Sequence, residues 1–273
     1  MKNRVRTAII PAGGMGTRLM PLTRAVPKEL LPVWKRPVLD YAVEEAVEAG
    51  IERLVIVTAP GKEALQRHFA DGAAHGLRQL DFVEQETALG LGDAIRRAAP
   101  RGEAVAVLLP DELLFGGNCL RQLIACRGRS GGSAVAVQRV PRGDVSRYGI
   151  VDIGSAVGPE LRVRGLVEKP QPAAAPSDLA IIGRYVLDAA VIDALQDAQP
   201  TVKGEVQLTD SIAATCAAGV FAVKYQGHRY DCGNFAGLLE ANIALARHEE
   251  TVPGVAAALL ETSGMRGNKV DVA

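Results

Sequence analysis

Short apolar segments alternate with amphipathic segments through the first half of the chain. The segments TAIIPA, RLVIVTA, RQLDFVEQ and AVAVLLPDE predict four strands, because each is a short run of mostly apolar residues. Between them, PVLDYAVEEAVEAG, GKEALQRHF and GLGDAIRRAA predict helices. Strands this apolar are buried on both faces, which predicts an α/β fold with a largely parallel sheet and helices on each side.

The second half of the chain is more mixed. GSAVAVQRV, YGIVDI, LRVRGLVEK, LAIIGRYVL and VFAVKY predict further strands, some of them paired as hairpins. LDAAVIDALQD, QLTDSIAATCAA and NFAGLLEANIALARHEE predict helices. We therefore expect one domain over residues 1–261, followed by a flexible tail of residues 262–273 that is rich in glycine and charge.

The charge balance excludes some classes of partner. Lys plus Arg and Asp plus Glu number 31 each among the 273 residues, so the chain has no basic footprint for a nucleic acid or an anionic membrane. No apolar run approaches the roughly 18 residues of a membrane span. Because the charges of the chain balance, any anion site must be local.

The four cysteines show no CxxC spacing, and we expect them to be buried thiols of a cytoplasmic protein.

A glycine loop follows the first strand and carries cations. In AGGMGTRLMPLTRAVPKELLPV, the backbone N–H groups of Ala12, Gly13 and Gly14 can point into a crevice at the carboxyl end of the strand, where open α/β sheets bind ligands. Arg18 and Lys28 flank the loop on a proline-stiffened segment, and both side chains suit phosphate. The loop therefore predicts a phosphate site.

Two common phosphate-binding loops do not fit this segment. The pattern GxxxxGK[ST] is absent. A dinucleotide-binding GxGxxG would need a short turn into a helix and an acidic residue at the end of the second strand. Here the loop continues through Pro21 and Pro27, and the second strand ends in Thr58. These features argue against a dehydrogenase.

Two aspartates stand at predicted ends of secondary-structure elements. Asp111 ends the fourth strand in LLPDE, and Asp231 precedes a helix in YDCGN. An aspartate in either place also serves commonly as a cap of a helix or turn. If both carboxylates met at one phosphate, they would bind Mg²⁺, which prefers oxygen ligands and substrate phosphates. Glu112 is the alternative ligand by its position in the chain.

Further motifs follow the glycine loop in a fixed order: LPDE, RYGIV, VEKP, SDLAIIGRYVL, GEVQLTD and YDCGN. With them the chain resembles the sugar-1-phosphate nucleotidyltransferases, and among these the bacterial UTP–glucose-1-phosphate uridylyltransferases, over residues 5–245. The resemblance implies a single Rossmann-like nucleotidyltransferase domain with a mixed, mostly parallel sheet. It also implies Mg²⁺-dependent transfer of a uridylyl group from UTP to glucose 1-phosphate, giving UDP-glucose and pyrophosphate, by a homo-oligomer (dimer or tetramer).

The resemblance assigns roles on the sugar side of the site. Asp111 and Asp231 would hold the Mg²⁺ ion. Glu168 would accept hydrogen bonds from sugar hydroxyls, and Lys169 would bind the sugar phosphate. Gly149 would let the sugar approach the backbone closely. The implied catalytic set is Arg18, Lys28, Asp111 and Lys169.

On the nucleotide side, the resemblance implies the backbone of Ala12, Gly13 and Gly14, and Gln85 with Gly90 after it. An amide both donates and accepts hydrogen bonds, so Gln85 can pair with the imide edge of uracil. Thymine presents the same edge. The choice between UTP and dTTP therefore stays open.

The sequence departs from the resemblance beside the predicted nucleotide site. Glu84, Leu89 and Asp93 stand where family members usually carry Arg, Lys and His. We therefore expect weaker binding of the triphosphate, unless Leu89 and Asp93 face solvent on their helix. The segment HFADGAAHGLRQLDF is also shorter than the helical insertion usual there, which could remove part of an interface.

These departures leave other functions open. The nucleotide could be dTTP, the sugar could be another hexose 1-phosphate, or the protein could be a non-catalytic regulatory paralogue. The retention of five functional side chains favours activity: Arg18, Lys28, Asp111, Lys169 and Asp231.

Overall fold

The computed structural model describes residues 4–70, 76–157, 160–202 and 204–248, and within them strands and helices alternate along the chain. The strands are β1 (Thr7–Pro11), β2 (Pro32–Val33), β3 (Arg36–Pro37), β4 (Arg53–Thr58), β5 (Gln79–Glu84), β6 (Val105–Leu108), β7 (Glu112–Phe115), β8 (Ser133–Arg139), β9 (Gly149–Val157), β10 (Glu160–Glu168), β11 (Leu179–Leu187), β12 (Val220–Lys224) and β13 (His228–Asp231). The helices are α1 (Val38–Glu48), α2 (Glu63–His68), α3 (Gly90–Ala98), α4 (Cys119–Ser130), α5 (Ala189–Asp197), α6 (Leu208–Ala214), α7 (Cys216–Gly219) and α8 (Phe235–His248). The predicted domain end at 261 and the predicted tail of residues 262–273 lie outside the described residues.

One mixed sheet of nine strands has the order β5-β4-β1-β6-β11-β8-β12-β10-β9. Strand β1 pairs in parallel with β4 and β6, and β4 pairs in parallel with β5. Strands β10 and β11 are antiparallel to their neighbours. The carboxyl ends of β1, β4, β5 and β6 therefore lie at one edge of the sheet, where the glycine loop and Asp111 follow them. The predicted α/β fold with a mixed, mostly parallel sheet is confirmed.

Both faces of the central strands are buried, as their apolar sequences predict. In β1, Ala8 and Ile10 pack into one core cluster and Ile9 into another on the opposite face. Helices α1 and α4 contribute to the first cluster, and α3, α5 and α6 contribute to the second. A smaller third cluster joins Val33 and Leu113 to α8. These layers fix the strand ends on which the site is built.

Helix α4 was absent from the pattern-based prediction. Its sequence CLRQLIACRGRS mixes apolar residues with three arginines and a glycine, so its amphipathic signal is weak. The Asn118 side chain caps it by accepting a hydrogen bond from the backbone N–H of Arg121. Leu120 and Leu123 are fully buried against the sheet. Tertiary burial stabilises this helix where local pattern does not predict it.

The short ladder of β7 and β13 was also absent from the prediction, and it matters most for the site. It pairs Asp231 with Glu112 across two four-residue strands. The backbone N–H of Cys232 then donates to the carbonyl oxygen of Asp111 at 2.8 Å. Segments that lie far apart in sequence are thus joined beside the two predicted metal ligands.

Two further predictions concern the cysteines and the absence of membrane-spanning segments. Cys119, Cys126, Cys216 and Cys232 are all buried free thiols, as predicted. Among the helices of the described residues, none is both long enough and apolar enough to span a bilayer.

Candidate active site

A cleft of about 580 Å³ opens at the carboxyl edge of the sheet. Six of the residues predicted for the site line it: Arg18, Asp111, Gly149, Glu168, Lys169 and Asp231. The predicted nucleotide residues form a second group, in which Gln85 lies against Gly13. Gly90 joins the two groups, since a Cβ placed on it would lie 3.0 Å from Cβ of Glu205, which lines the cleft.

The two aspartates predicted to bind metal converge in the cleft. A Cβ placed on Gly233 would lie 2.7 Å from Oδ2 of Asp111 and 2.9 Å from Oδ1 of Asp231, so both oxygens border the same small volume. Lys28 Nζ donates to Asp111 Oδ2 at 2.5 Å. Asp231 Oδ2 accepts one hydrogen bond from Arg18 and one from Arg147, each at 3.3 Å. Two acidic and three basic side chains thus meet at one place.

The Lys28–Asp111 pair is ionised. Burial alone would raise the pKa of Asp111, but the charge and hydrogen bond of Lys28 outweigh it and lower the pKa. Burial alone would lower the pKa of Lys28, and Asp111 outweighs that effect and raises it. Each group therefore holds the other in its charged form.

The donor set suits a divalent metal such as Mg²⁺. The described residues contain no group of three or more His, Cys, Asp and Glu side chains that could hold a metal ion. Two carboxylates alone are typical of Mg²⁺ sites, because substrate phosphates and water complete the coordination. Glu112, the alternative ligand, has both oxygens bonded by Arg229 at 2.7 Å. The structure thus brings Asp111 and Asp231 together and gives Glu112 another partner.

The sugar side of the cleft is built on the β9–β10 hairpin. Gly149 and Glu168 face each other across its ladder. Thr209 donates to Glu168 Oε2 at 2.6 Å, and Lys169 Nζ lies 3.3 Å from Glu168 Oε1. A Cβ on Gly149 would lie only 3.3 Å from both Glu168 Oε2 and Thr209 Oγ1, so a side chain there would crowd this network as well as a sugar.

Lys169 has an unusual backbone. Its φ of +47° is rare for a residue with a side chain, and such conformations concentrate at functional sites. The N–H of Lys169 donates to the carbonyl of Tyr148, which holds the turn in place. The Lys169 side chain is exposed at the cleft, so its ammonium group is available to an anion.

The glycine loop is fixed by a buried lysine that the sequence analysis did not single out. Lys62 Nζ donates to the carbonyl oxygens of Ala12 and Gly14, at 2.5 and 2.7 Å, and to both oxygens of Glu29. The Ala12 N–H does not point into the crevice as expected, because it donates to the Val57 carbonyl at 2.7 Å and extends the sheet. No described residue accepts a hydrogen bond from the N–H groups of Gly13 and Gly14.

Gln85 follows β5 and is almost fully buried. Its Nε2 donates to the Gly90 carbonyl at 3.2 Å and to Asp93 Oδ2 at 2.7 Å. Its Oε1 faces the glycine loop, 3.3 Å from where a Cβ on Gly13 would lie. The amide is therefore held in one orientation beside that loop.

Asp93 does not face solvent on its helix, so that alternative is wrong for this residue, and the weaker binding of the triphosphate stays a prediction. Asp93 is fully buried in the first turn of α3. Arg96 donates to its Oδ1 at 2.9 Å and Arg97 to its Oδ2 at 2.8 Å. Burial alone would raise the pKa of Asp93, but hydrogen bonds from Gln85, Arg97 and Arg96 outweigh it and lower the pKa. Two arginines from the same helix thus balance the carboxylate.

Comparison with known proteins shows the family and the fold of the chain. The family model for nucleotidyl transferases matches residues 7–248. The chain belongs to the nucleotidyl transferase family. It is 38% identical over 267 residues to a UTP–glucose-1-phosphate uridylyltransferase of Staphylococcus epidermidis, covering 89% of this chain and 93% of that one. The enzyme of the same name from Pseudomonas aeruginosa is 38% identical over 264 residues, covering 87% and 94%.

A solved structure of UDP-glucose pyrophosphorylase complexed with UDP-glucose has the same fold. It superposes with a TM-score of 0.83 at 33% identity, covering 90% of this chain and all of that chain. The predicted family and fold are therefore confirmed for this nucleotidyl transferase.

In this nucleotidyl transferase the start of α3, which follows Gln85, is hydrogen-bonded to the segment before α6. The Gly92 N–H donates to the Val206 carbonyl at 2.9 Å, and the Val206 N–H donates to the Leu89 carbonyl at 2.7 Å. A Cβ on Gly92 would lie 2.5 Å from that Val206 oxygen, so only glycine permits this approach. Glu205, for which the sequence left packing or a sugar contact open, lies beside this junction and lines the cleft.

Four functional side chains escaped the sequence analysis. Arg147 is the first residue of the motif RYGIV, two positions before Gly149, and could have been found there. Thr209 is in the motif GEVQLTD, but nothing local indicates its bond to Glu168. Lys62 and Arg229 act only through contacts with distant segments, and no local pattern marks them.

The Lys62–Glu29 pair gives a test of how the glycine loop is held. Burial raises the pKa of Glu29 and lowers that of Lys62, and the attraction between the two groups opposes both effects. Lys62→Met would leave Glu29 buried without its partner, so we expect the free energy of unfolding to fall by about 3–5 kcal/mol in urea titrations. Adding Glu29→Leu should restore part of this loss, because no buried charge is then left alone.

Arg101→Met is the matched control, since it breaks the exposed pair with Asp197. Its unfolding midpoint should stay close to that of the parent, because exposed ion pairs contribute little to stability. An unfolding midpoint of Lys62→Met equal to that of the parent would contradict the assignment of this pair.

Proposed function

We propose that the protein transfers a uridylyl group from UTP to glucose 1-phosphate, with Mg²⁺ held by Asp111 and Asp231. The observation that carries the proposal is the convergence of these two carboxylates with Arg18 and Arg147 in the cleft, where Lys28 bonds Asp111. The names of the full-length relatives, and the UDP-glucose in the similar structure, support this choice of substrates.

The reaction needs charge neutralisation and alignment more than covalent chemistry. A phosphate oxygen of glucose 1-phosphate attacks the α-phosphorus of UTP in line. The bond from that phosphorus to the α,β-bridging oxygen breaks, and pyrophosphate carries the electron pair away. When bound, Mg²⁺ would add positive charge at the reacting phosphates. The reaction needs no proton acceptor, because the attacking phosphate oxygen is already ionised.

The side chains of this chain divide the work. Arg18 and Lys28 lie next to the carboxylate pair and would bind the triphosphate. Lys169, exposed beside Glu168, would bind the sugar phosphate. Glu168 would accept hydrogen bonds from sugar hydroxyls, and the Thr209 hydroxyl fixes its orientation.

The nucleotide base would lie between Gln85 and the glycine loop. Gln85 Oε1 would accept the N3–H of uracil, and the N–H groups of Gly13 and Gly14 would donate to the nucleotide. Ala12 would contribute only contact, because its N–H belongs to the sheet. Gly90 supplies the backbone turn with a φ of +90° that a side chain would strain.

Some finer predictions belong to this proposal. Mg²⁺ as the metal, a cytoplasmic location and a homo-oligomer remain predictions. Light scattering tests the last, since a mass of 28.7 kDa would indicate one chain.

A pyrophosphate-release assay tests the activity directly. We expect the highest kcat/KM with UTP and glucose 1-phosphate across a matrix of UTP, dTTP, CTP, ATP and GTP with several hexose 1-phosphates, and no turnover with EDTA. Asp111→Asn should lose at least about 100-fold in kcat, since it removes a metal ligand worth several kcal/mol. A higher kcat/KM with dTTP or another hexose would overturn the substrate assignment. Absence of turnover with every pair would identify a non-catalytic paralogue.

Lys169→Met separates the two substrates. Loss of one charged contact should raise the KM for glucose 1-phosphate about tenfold or more and leave the KM for UTP nearly unchanged. Lys224→Met is the control, because Lys224 is exposed at the end of β12, outside the cleft. An equal rise of both KM values would mean that Lys169 does not distinguish the sugar phosphate.

A further inference from the structure

The Gln85 carboxamide is held in one orientation by groups that can only accept hydrogen bonds. The backbone N–H of Gln85 donates to Thr58 at 2.8 Å and fixes where the side chain starts. The Nε2 group lies 3.2 Å from the Gly90 carbonyl oxygen and 2.7 Å from Asp93 Oδ2. Neither oxygen can donate to a carboxamide oxygen, so the amide nitrogen must occupy this position.

Asp93 stays an acceptor because two arginines keep it ionised. Arg96 Nε donates to one carboxylate oxygen and Arg97 Nε to the other. A protonated acid or an asparagine at this position could donate a hydrogen bond to Gln85 and allow its amide to turn over. The buried carboxylate excludes that alternative, and its charge is balanced within α3.

The remaining side of the Gln85 amide is its oxygen, which faces Gly13 of the glycine loop. With both N–H groups of the amide engaged, Gln85 offers the base an acceptor only. Uracil and thymine carry a donor, N3–H, at the centre of their pairing edge, whereas cytosine carries an acceptor there. An oxygen held at this point therefore suits an imide and opposes N3 of cytosine.

We propose that Asp93 is a positioning residue for base selection, which locks the Gln85 amide with its oxygen toward the base and so favours uracil and thymine over cytosine. This inference rests on the proposed function, in which Gln85 contacts the base. It gives Asp93 a role at a position where the family resemblance implies His. The residue acts on the choice of nucleotide base and leaves the phosphate chemistry to the cleft.

The test is Asp93→Asn, which keeps the shape and adds a donor next to Gln85. Calorimetric titration with UTP and with CTP, in the presence of Mg²⁺, measures selection without requiring turnover. We expect the ratio of the CTP to the UTP dissociation constant to fall about tenfold or more, by weaker UTP binding and tighter CTP binding. In the steady-state assay the change should lie in the KM values, with kcat for UTP nearly unchanged.

Two further proteins separate positioning from a general structural effect. Asp197→Asn removes a surface acid bonded to Arg101 and should leave the ratio unchanged. Gln85→Ala removes the amide, and Asp93→Asn added to it should cause no further change in the ratio. Reduced folding alone would scale the active fraction for both nucleotides equally and would not move the ratio.

The outcomes are distinguishable from failure of the proposed function. A parent protein that selects UTP over CTP, with an Asp93→Asn variant that keeps the same ratio, overturns the inference and leaves the function intact. A further change of ratio on adding Asp93→Asn to Gln85→Ala also overturns it, since Asp93 would then act without Gln85. A parent that binds neither nucleotide overturns both proposals.

Discussion

Buried ion pairs hold the loops at the carboxyl edge of the sheet, and the shape of the cleft depends on them. Lys62 and Glu29 fix the glycine loop, Lys28 and Asp111 join that loop to β6, and Arg229 pairs with Glu112 on the β7–β13 ladder. A buried charge is costly unless a partner of opposite sign accompanies it. Each pair therefore allows few loop arrangements, because any displacement would leave a charge alone in the interior.

Arg184 forms another buried ion pair, deeper in the core. It is fully buried on β11, pairs with Glu45, and donates to the backbone carbonyls of Leu109 and Glu112. Those two carbonyls lie on either side of Asp111 in the chain. Arg184, on a central strand of the sheet, therefore fixes the position of the backbone that carries this predicted metal ligand. In this way a chain with balanced charges builds a strongly ionic site in one place. The local placement of charge, and not the net charge of the chain, makes this site ionic.

The sequence predicted those features that depend on local pattern. Apolar runs such as TAIIPA placed the parallel strands, and the glycine loop followed at the ligand edge because the end of β1 must lie there. Glu168 and Lys169 were singled out by the family resemblance, and both stand where the motif VEKP ends β10.

Features that depend on contacts between distant segments could not be predicted from local sequence pattern. Strands β7 and β13 have only four residues each, so the pattern of neither segment predicts a strand. Their pairing nevertheless brings Asp231 close to Asp111. Asp93 was misjudged because its balancing partners, Arg96 and Arg97, count only once the carboxylate is known to be buried. The misplaced N–H of Ala12 has a similar origin, since it depends on the pairing of β1 with β4, in which the Val57 carbonyl accepts that N–H.

The proposed reaction requires Asp111 and Asp231 to hold the metal together at the reacting phosphates. Diffraction from crystals grown with UDP-glucose and Mn²⁺, recorded at the manganese absorption edge, tests it most directly. We expect one anomalous peak bonded to both carboxylates and to the nucleotide phosphates, with Glu112 still paired to Arg229. A peak bonded to Glu112, or UDP-glucose bound with no peak between the two aspartates, would contradict it.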